Sequence, residues 1–339
     1  MTSTASLDAL LREVLTPCAH PGGPGASAAV VRDGRILASY GCGLADVERH
    51  VPAALHTNYR LASLSKAFTA MAIMLLTDKR QLNIDDCARQ FLPALPACAN
   101  DIRVRHLLNH TSGLWDYEDF VPADQPAQVH DHDALALLTV HEQLYFSPGA
   151  AYRYSNSGYV LLGLIVEAVS GVSFARFLHE HIFASLGMRA TVAHAEGIST
   201  VPERAWGYTV MSHGAQRTDQ SPTSATLGDG GIYSSVADLA AWTHALATHA
   251  LVRPTTWRDA VTPPLLADGG RGPYGFGWFV EHDDAGMWLW HHGETMGFTN
   301  GIACDPARDL AVIVLTNRTG GAPWQSAQRV LHTLRTSPA

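Results

Sequence analysis

Ser63 and Lys66 stand three residues apart at the head of an apolar run, Ala67-Phe68-Thr69-Ala70-Met71-Ala72-Ile73-Met74-Leu75-Leu76. The run is long and apolar enough to predict a buried helix with Ser63 at its N-terminal edge. Positions three apart share a helix face, so the Ser63 hydroxyl and the Lys66 amine come within reach of each other. A serine is a weak nucleophile until a base takes its proton, and a lysine held away from water can do so. Arginine cannot, because it stays protonated in proteins. The chain has 23 basic residues, of which only Lys66 and Lys79 are lysine and the other 21 are arginine. Lysine therefore stands where a general base is required, in a chain that elsewhere uses arginine. A plain helix cap at Ser63 followed by a solvated Lys66 is the other reading of the same residues.

Tyr154-Ser155-Asn156 follows a Pro148-Gly149 turn and precedes a helical pattern from Gly158, which places it on a loop between helices. A phenol beside Lys66 could relay the proton that Ser63 loses, and the Asn156 amide offers a donor and an acceptor to a substrate amide. His291-His292-Gly293 ends a predicted strand through Trp288-Leu289-Trp290, with a turn at Gly293. A glycine there lets a substrate backbone approach, and His291 can hydrogen-bond in a polar site without a permanent charge. Both stretches also read as ordinary polar turns. A developing oxyanion needs two backbone N–H donors. Ser63 at a helix start supplies one, and Glu294 on an edge strand supplies the second.

Other chemistries lack their residues. Gly171-Val172-Ser173-Phe174-Ala175 fails the G-x-S-x-G pattern at its last position, and His141-Glu142 is followed by Gln143-Leu144-Tyr145, not by a second histidine. No phosphate-binding glycine loop is present. His130-Asp131-His132-Asp133 reads as a polar loop before a helix over 134–144, so neither a metal nor a cofactor is expected.

The elements that must position these residues follow from periodicity. Residues 7–15 have the spacing of an amphipathic helix, and Asp33-Gly34 between 26–31 and 35–40 marks a hairpin. Short helices are predicted over 104–108, 158–170, 174–186 and from about 235. Strands are predicted over 274–280, 287–291, 297–303 and 310–315, with a last helix over 323–334. Strands at both ends with helices between predict one antiparallel sheet built from both chain ends and interrupted by a helical unit. Hydrophobic content of 47% and charged content of 16% in 339 residues suit a large core. The net charge of −8, without a Lys/Arg block, argues against a nucleic-acid partner. Five cysteines without a C-x-x-C pair read as reduced thiols. No apolar run reaches the ~20 residues of a membrane span. The start of the chain lacks a signal-like pattern, so a cytoplasmic location is expected, or a periplasmic one if a leader was removed. Oligomeric state is not legible.

In this order the motifs resemble the serine β-lactamase and penicillin-binding superfamily, specifically its class C branch. They are Tyr59-Arg60-Leu61-Ala62-Ser63-Leu64-Ser65-Lys66, Asn109-His110-Thr111-Ser112-Gly113-Leu114, Tyr154-Ser155-Asn156-Ser157-Gly158-Tyr159, Gly230-Gly231-Ile232-Tyr233-Ser234-Ser235 and His291-His292-Gly293. The resemblance implies an α/β (α+β) class C β-lactamase-like fold. A discontinuous sheet domain (1–79 and 206–339) would hold a mainly helical domain (80–205), with the active site between them. It implies Ser63 as acylated nucleophile, Lys66 as base and Tyr154 as proton carrier. Asn156, His291, His292 and Gly293 would contact substrate, and the backbone of Ser63 and Glu294 would bind the oxyanion. The segment from His110 to Leu114 resembles a fold signature without a chemical role. β-Lactamases of this branch usually carry Lys-Thr-Gly at the third motif. The His-x-Gly form here resembles DD-peptidases, D-aminopeptidases and some esterases. The expected partner is a small-molecule ester, D-amino-acid amide or peptide, or β-lactam, with no membrane involved. Substrate choice would lie with the undecoded loops around 115–132 and 206–226.

Overall fold

The computed structural model describes residues 4–16, 22–122, 124–195, 197–212 and 214–336; Cys18 lies outside them. In chain order, α1 (Thr4–Leu15) leads into the hairpin β1 (Ala26–Arg32) and β2 (Arg35–Cys42), then α2 (Ser65–Asp78). There follow α3 (Val104–Leu108), α4 (Asp131–Thr139), α5 (Asn156–Ser170) and α6 (Val236–Thr248). The last elements are β3 (Phe279–Asp283), β4 (Gly286–Thr295), β5 (Phe298–Asp305), β6 (Leu310–Thr316) and α7 (Pro323–Thr336).

The six strands form one sheet in the order β3-β4-β5-β6-β1-β2, every neighbouring pair antiparallel. The strands from the two chain ends meet where β1 pairs with β6, Val30 opposite Val312. Both are apolar along nearly their whole length because helices cover both sheet faces. Ala28 and Val30 point to the face packed by α1 and α7. Ala29 and Val31 point to the inner face with α2 and α6. The α2 helix is buried from Ser65 to Leu76, as an all-apolar helix must be. The same core runs on through α2 into α4 and α5. Among the described residues no single helix is long and apolar enough to cross a membrane.

Several elements depart from the periodicity reading. The β4 strand does not turn at Gly293 but runs through it to Thr295, and the turn lies at Met296-Gly297. Residues 274–278 are not strand: Tyr274, Phe276 and Trp278 are all buried, while Gly277 at φ +80° fits against Ala67. Alternating aromatics and glycines imitate a strand's period here while packing beneath α2. The α4 helix starts three residues earlier than expected, within the stretch read as a polar loop, because the Asp133 carboxylate accepts the His130 N–H. It stops at Thr139, where the chain turns to lay His141 on Phe120 and give its Gln143 carbonyl to Trp115. The helix expected over 174–186 is α-helical over Phe174–Leu178 and widens into a π turn at His179–Phe183, which buries both Ile182 and Phe183. A short strand, Ile232–Ser234, precedes α6 and was not legible.

Candidate active site

Ser63 sits on a single 3₁₀ turn, Ala62–Leu64, that runs directly into α2. Ala62 takes a positive φ of 50°, a conformation that costs a non-glycine residue about 1–2 kcal/mol. The turn is held from three sides. Leu61 N–H donates to the Ile232 carbonyl (2.8 Å), Asn300 Nδ2 donates to the Arg60 carbonyl (2.8 Å), and the Ile232 N–H donates to Ser65 Oγ (3.1 Å). The fourth support is steric. A methyl at Gly293 would overlap the Leu61 carbonyl oxygen and crowd Ala62. The backbone that comes close to Gly293 is therefore the chain's own Ser63 turn.

Lys66 is fully buried. Its Nζ donates to Ser63 Oγ (3.0 Å), Asn156 Oδ1 (2.7 Å) and the Asp229 carbonyl (3.0 Å). It also lies 5.0 Å above the Tyr154 ring and 5.7 Å above that of Tyr159. Among the described residues no carboxylate oxygen comes within ion-pair distance of Nζ. All three acceptors are neutral dipoles. The Asp229 carbonyl is held in turn from Asp131, whose carboxylate accepts the N–H groups of Leu227 (3.1 Å) and Gly228 (3.3 Å). Burial, together with the nearby Asp229, raises the Asp131 carboxyl to about 7.

Tyr154 precedes α5, and its hydroxyl is buried with no hydrogen-bond partner among the described residues. The phenol ring is set by His110, whose ring lies 4.2 Å away centroid to centroid and whose Nδ1 accepts the Ser155 N–H (3.2 Å). His110 is itself in the left-handed region at φ 59°. Burial and the Lys66 charge keep its imidazole neutral, well below the usual range. The segment read as a fold signature thus orients the phenol. Asn156 opens α5 with its N–H on Asp116 Oδ2 (2.7 Å). Its acceptor oxygen is taken by Lys66, and its amide meets Glu118, a carboxyl that burial and the neighbouring Asp229 and Asp116 raise to about 7. Asp116, Glu118, Asp131 and Asp229 carried no motif signal beyond their closeness to the loop at 115–132 and the glycine turn at Gly230-Gly231.

His291 and His292 lie on opposite faces of β4. His291 is fully buried on the Ser63 side, its ring 6.4 Å from that of Tyr154. His292 faces outward to α7, with its ring 4.9 Å from Trp324, so its side chain is not brought to Ser63. Both His291 ring nitrogens already have protein partners, Tyr274 Oη (2.7 Å) and the His292 carbonyl (2.6 Å). The β3 strand pairs only with residues 286–290 of β4, which leaves residues 291–295 as an open edge. Asp283 and Gly286 close a two-residue hairpin, so the even-numbered residues of β4 direct their N–H groups toward the β3 side. The Glu294 N–H therefore points out of the open edge, beside the turn that carries Ser63.

A family profile described as Beta-lactamase matches residues 7–334. The chain belongs to that family, and the expected sheet with helices on both faces is the fold it has. Penicillin-binding protein 4* of Bacillus subtilis (strain 168) is 32% identical over 312 residues, which are 87% of this chain and 68% of that protein. A D-aminopeptidase of Gluconobacter oxydans (strain 621H) is 30% identical over 319 residues, 92% of this chain. The chain spans 59% of that relative's length. The octameric penicillin-binding protein homologue from Pyrococcus abyssi superposes with a TM-score of 0.82 at 28% identity, over 97% of this chain and 77% of that one. The D-amino acid amidase from Ochrobactrum anthropi SV3 shares the fold, with a TM-score of 0.83 at 24% identity over 98% of this chain and 99% of its own.

Proposed function

We propose that this protein is a serine hydrolase that forms an acyl-enzyme on Ser63 and cleaves an ester or a small D-amino-acid amide or peptide bond. The observation that carries this reading is the buried Lys66 amine 3.0 Å from Ser63 Oγ with no carboxylate to hold its charge. Ser63 Oγ attacks the carbonyl carbon, and its proton passes to the lone pair of Lys66 as the neutral amine, whose two hydrogens stay on Asn156 Oδ1 and the Asp229 carbonyl. The oxyanion is met by the N–H groups of Ser63 and Glu294. Tyr154, with its hydroxyl buried near Lys66, gives its proton to the leaving amine or alcohol and takes up the one that Lys66 received from Ser63. Water then attacks the ester on Ser63, giving its proton to the Lys66–Tyr154 pair, which passes it to Ser63 Oγ as the ester C–O bond breaks and the acid leaves.

The D-aminopeptidase and D-amino acid amidase relatives support an amide substrate of D configuration. The third motif supports it too, because the strand offers no lysine to hold a substrate carboxylate. A β-lactamase or DD-carboxypeptidase is the second reading, favoured by the likeness to penicillin-binding proteins. The deciding experiment compares kcat/KM for D- and L-amino-acid amides, nitrophenyl esters and a penicillin. Turnover of esters or D-amides well above penicillin is expected. Efficient penicillin turnover, with esters and D-amides untouched, would replace the first reading by the second.

A further inference from the structure

Proton transfer among Ser63, Lys66 and Tyr154 uses neither Tyr274 nor the two nitrogens of His291. The His292 carbonyl, 2.6 Å from His291 Nδ1, can only accept, so Nδ1 carries a proton. Nε2 faces the Tyr274 hydroxyl at 2.7 Å. Tyr274 is fully buried and its phenol is strongly held in the protonated form by that burial. A neutral imidazole with its proton on Nδ1 has one lone pair, on Nε2, and the phenol is the donor that meets it. The groups around the ring oppose a second proton. Lys66 faces it from α2, Tyr154 from the segment before α5, and His110 from the turn after α3; His292 adjoins it on its own strand. Burial, His292 and Lys66 all push the imidazole far from protonation. Among the described residues no carboxylate pairs with either ring nitrogen.

We propose that Tyr274 is a specificity-determining positioning residue, which fixes His291 as the neutral Nδ1–H tautomer with no nitrogen left for substrate. His291 then holds the edge strand through the His292 carbonyl, while the third motif presents substrate with backbone alone. A substrate carrying a carboxylate at that edge meets no cation, and an uncharged group loses nothing. The specificity part rests on the serine-hydrolase reading; the tautomer part does not.

Two measurements test them separately. Long-range ¹H–¹⁵N spectra of the wild-type protein, with His291 assigned by a His291→Gln variant, report the tautomer directly. Nδ1–H with no titration from about pH 5 to about pH 9 is expected; an Nε2–H signal, or a midpoint inside that range, overturns the assignment. The second is Tyr274→Phe, which removes one buried hydroxyl and leaves the ring. It is expected to free the Nε2 lone pair for a substrate donor, so that kcat/KM for a neutral ester carrying an N–H donor at that edge rises roughly tenfold relative to a carboxylate-bearing one. A merely structural role would lower both substrates together, and that result would overturn the specificity claim. Loss of all turnover in the wild type would instead remove the hydrolase reading and leave the spectra to decide the tautomer.

Discussion

Two buried cations in this molecule are treated in opposite ways. Arg335, on α7, lies under the outer face of the sheet and is met by carboxylates. Its Nε donates to Asp305 Oδ2 (2.7 Å), one terminal nitrogen meets Asp283, and the other meets the Gly286 carbonyl. Lys66, on the inner face, is just as buried but is met by a hydroxyl, an amide oxygen and a backbone carbonyl. A cation between carboxylates is fixed in charge, and removing it strands the anions. A cation among dipoles leaves no opposite charge behind when it gives up its proton. The first arrangement ties α7 to three strands; the second places an amine beside Ser63 with no carboxylate to fix its charge.

The sharpest way to break this contrast is to exchange each cation for an apolar side chain of similar length. Lys66→Met is expected to cost roughly 10⁴–10⁶-fold in kcat while leaving the unfolding midpoint close to wild type. Arg335→Met is expected to do the reverse. It should lose about 3–5 kcal/mol of stability, read by urea unfolding, with kcat per folded molecule unchanged. Similar losses of both quantities in both variants would erase the distinction.

Next in size is Tyr154→Phe, expected to lower kcat by roughly 10²–10⁴-fold through the proton step. Because the Tyr154 hydroxyl has no hydrogen-bond partner among the described residues, its loss should barely change stability. Gly293→Ala follows. Its methyl would push the Leu61–Ala62 backbone away from β4. A stability loss of about 1–3 kcal/mol is expected, with a larger proportional loss of kcat because Ser63 moves with that turn. A variant of normal activity would show that the close approach does not set the serine.

An effect confined to the pH dependence concerns Asp131, an acid held by two N–H groups with no cation paired to it among the described residues. Its folded carboxyl lies at about 7, against about 3.9 when unfolded. Between those values the folded state keeps a proton that the unfolded state has lost. This contribution to stability is complete below about pH 4 and disappears as pH rises through about 7. Asp131→Asn, which keeps an acceptor oxygen, should flatten that slope. Its stability relative to wild type should therefore grow from pH 4 to 7 and then level off. A parallel pH dependence in both proteins would contradict the assignment.

Much of the architecture could be read locally. Asp33-Gly34 announced the β1–β2 hairpin, and the apolar run after Lys66 announced α2. Ser63, Lys66, Tyr154 and Asn156 were legible because fixed spacings and neighbouring turns brought attention to them. What was illegible acts across the chain. The Asp229 carbonyl reaches Lys66 through backbone geometry, which no residue type encodes. His110 orients Tyr154, and Tyr274 meets His291, only after separate elements pack together. Gly293 was read as a turn because glycine punctuates sequences, whereas its missing side chain makes room for another stretch of backbone. His292 was read with His291 because they are adjacent, yet strand alternation sends them to opposite faces.

In the proposed mechanism one serine, activated by one buried lysine, is the nucleophile. The most direct measurement is intact-mass and peptide mapping after treatment with an active-site-directed fluorophosphonate, on wild type, Ser63→Ala and Lys66→Met. A single adduct on the Ser63 peptide is expected in the wild type, none in Ser63→Ala, and a greatly slowed one in Lys66→Met. An adduct on another residue, or one that forms at the wild-type rate without Lys66, would contradict the account.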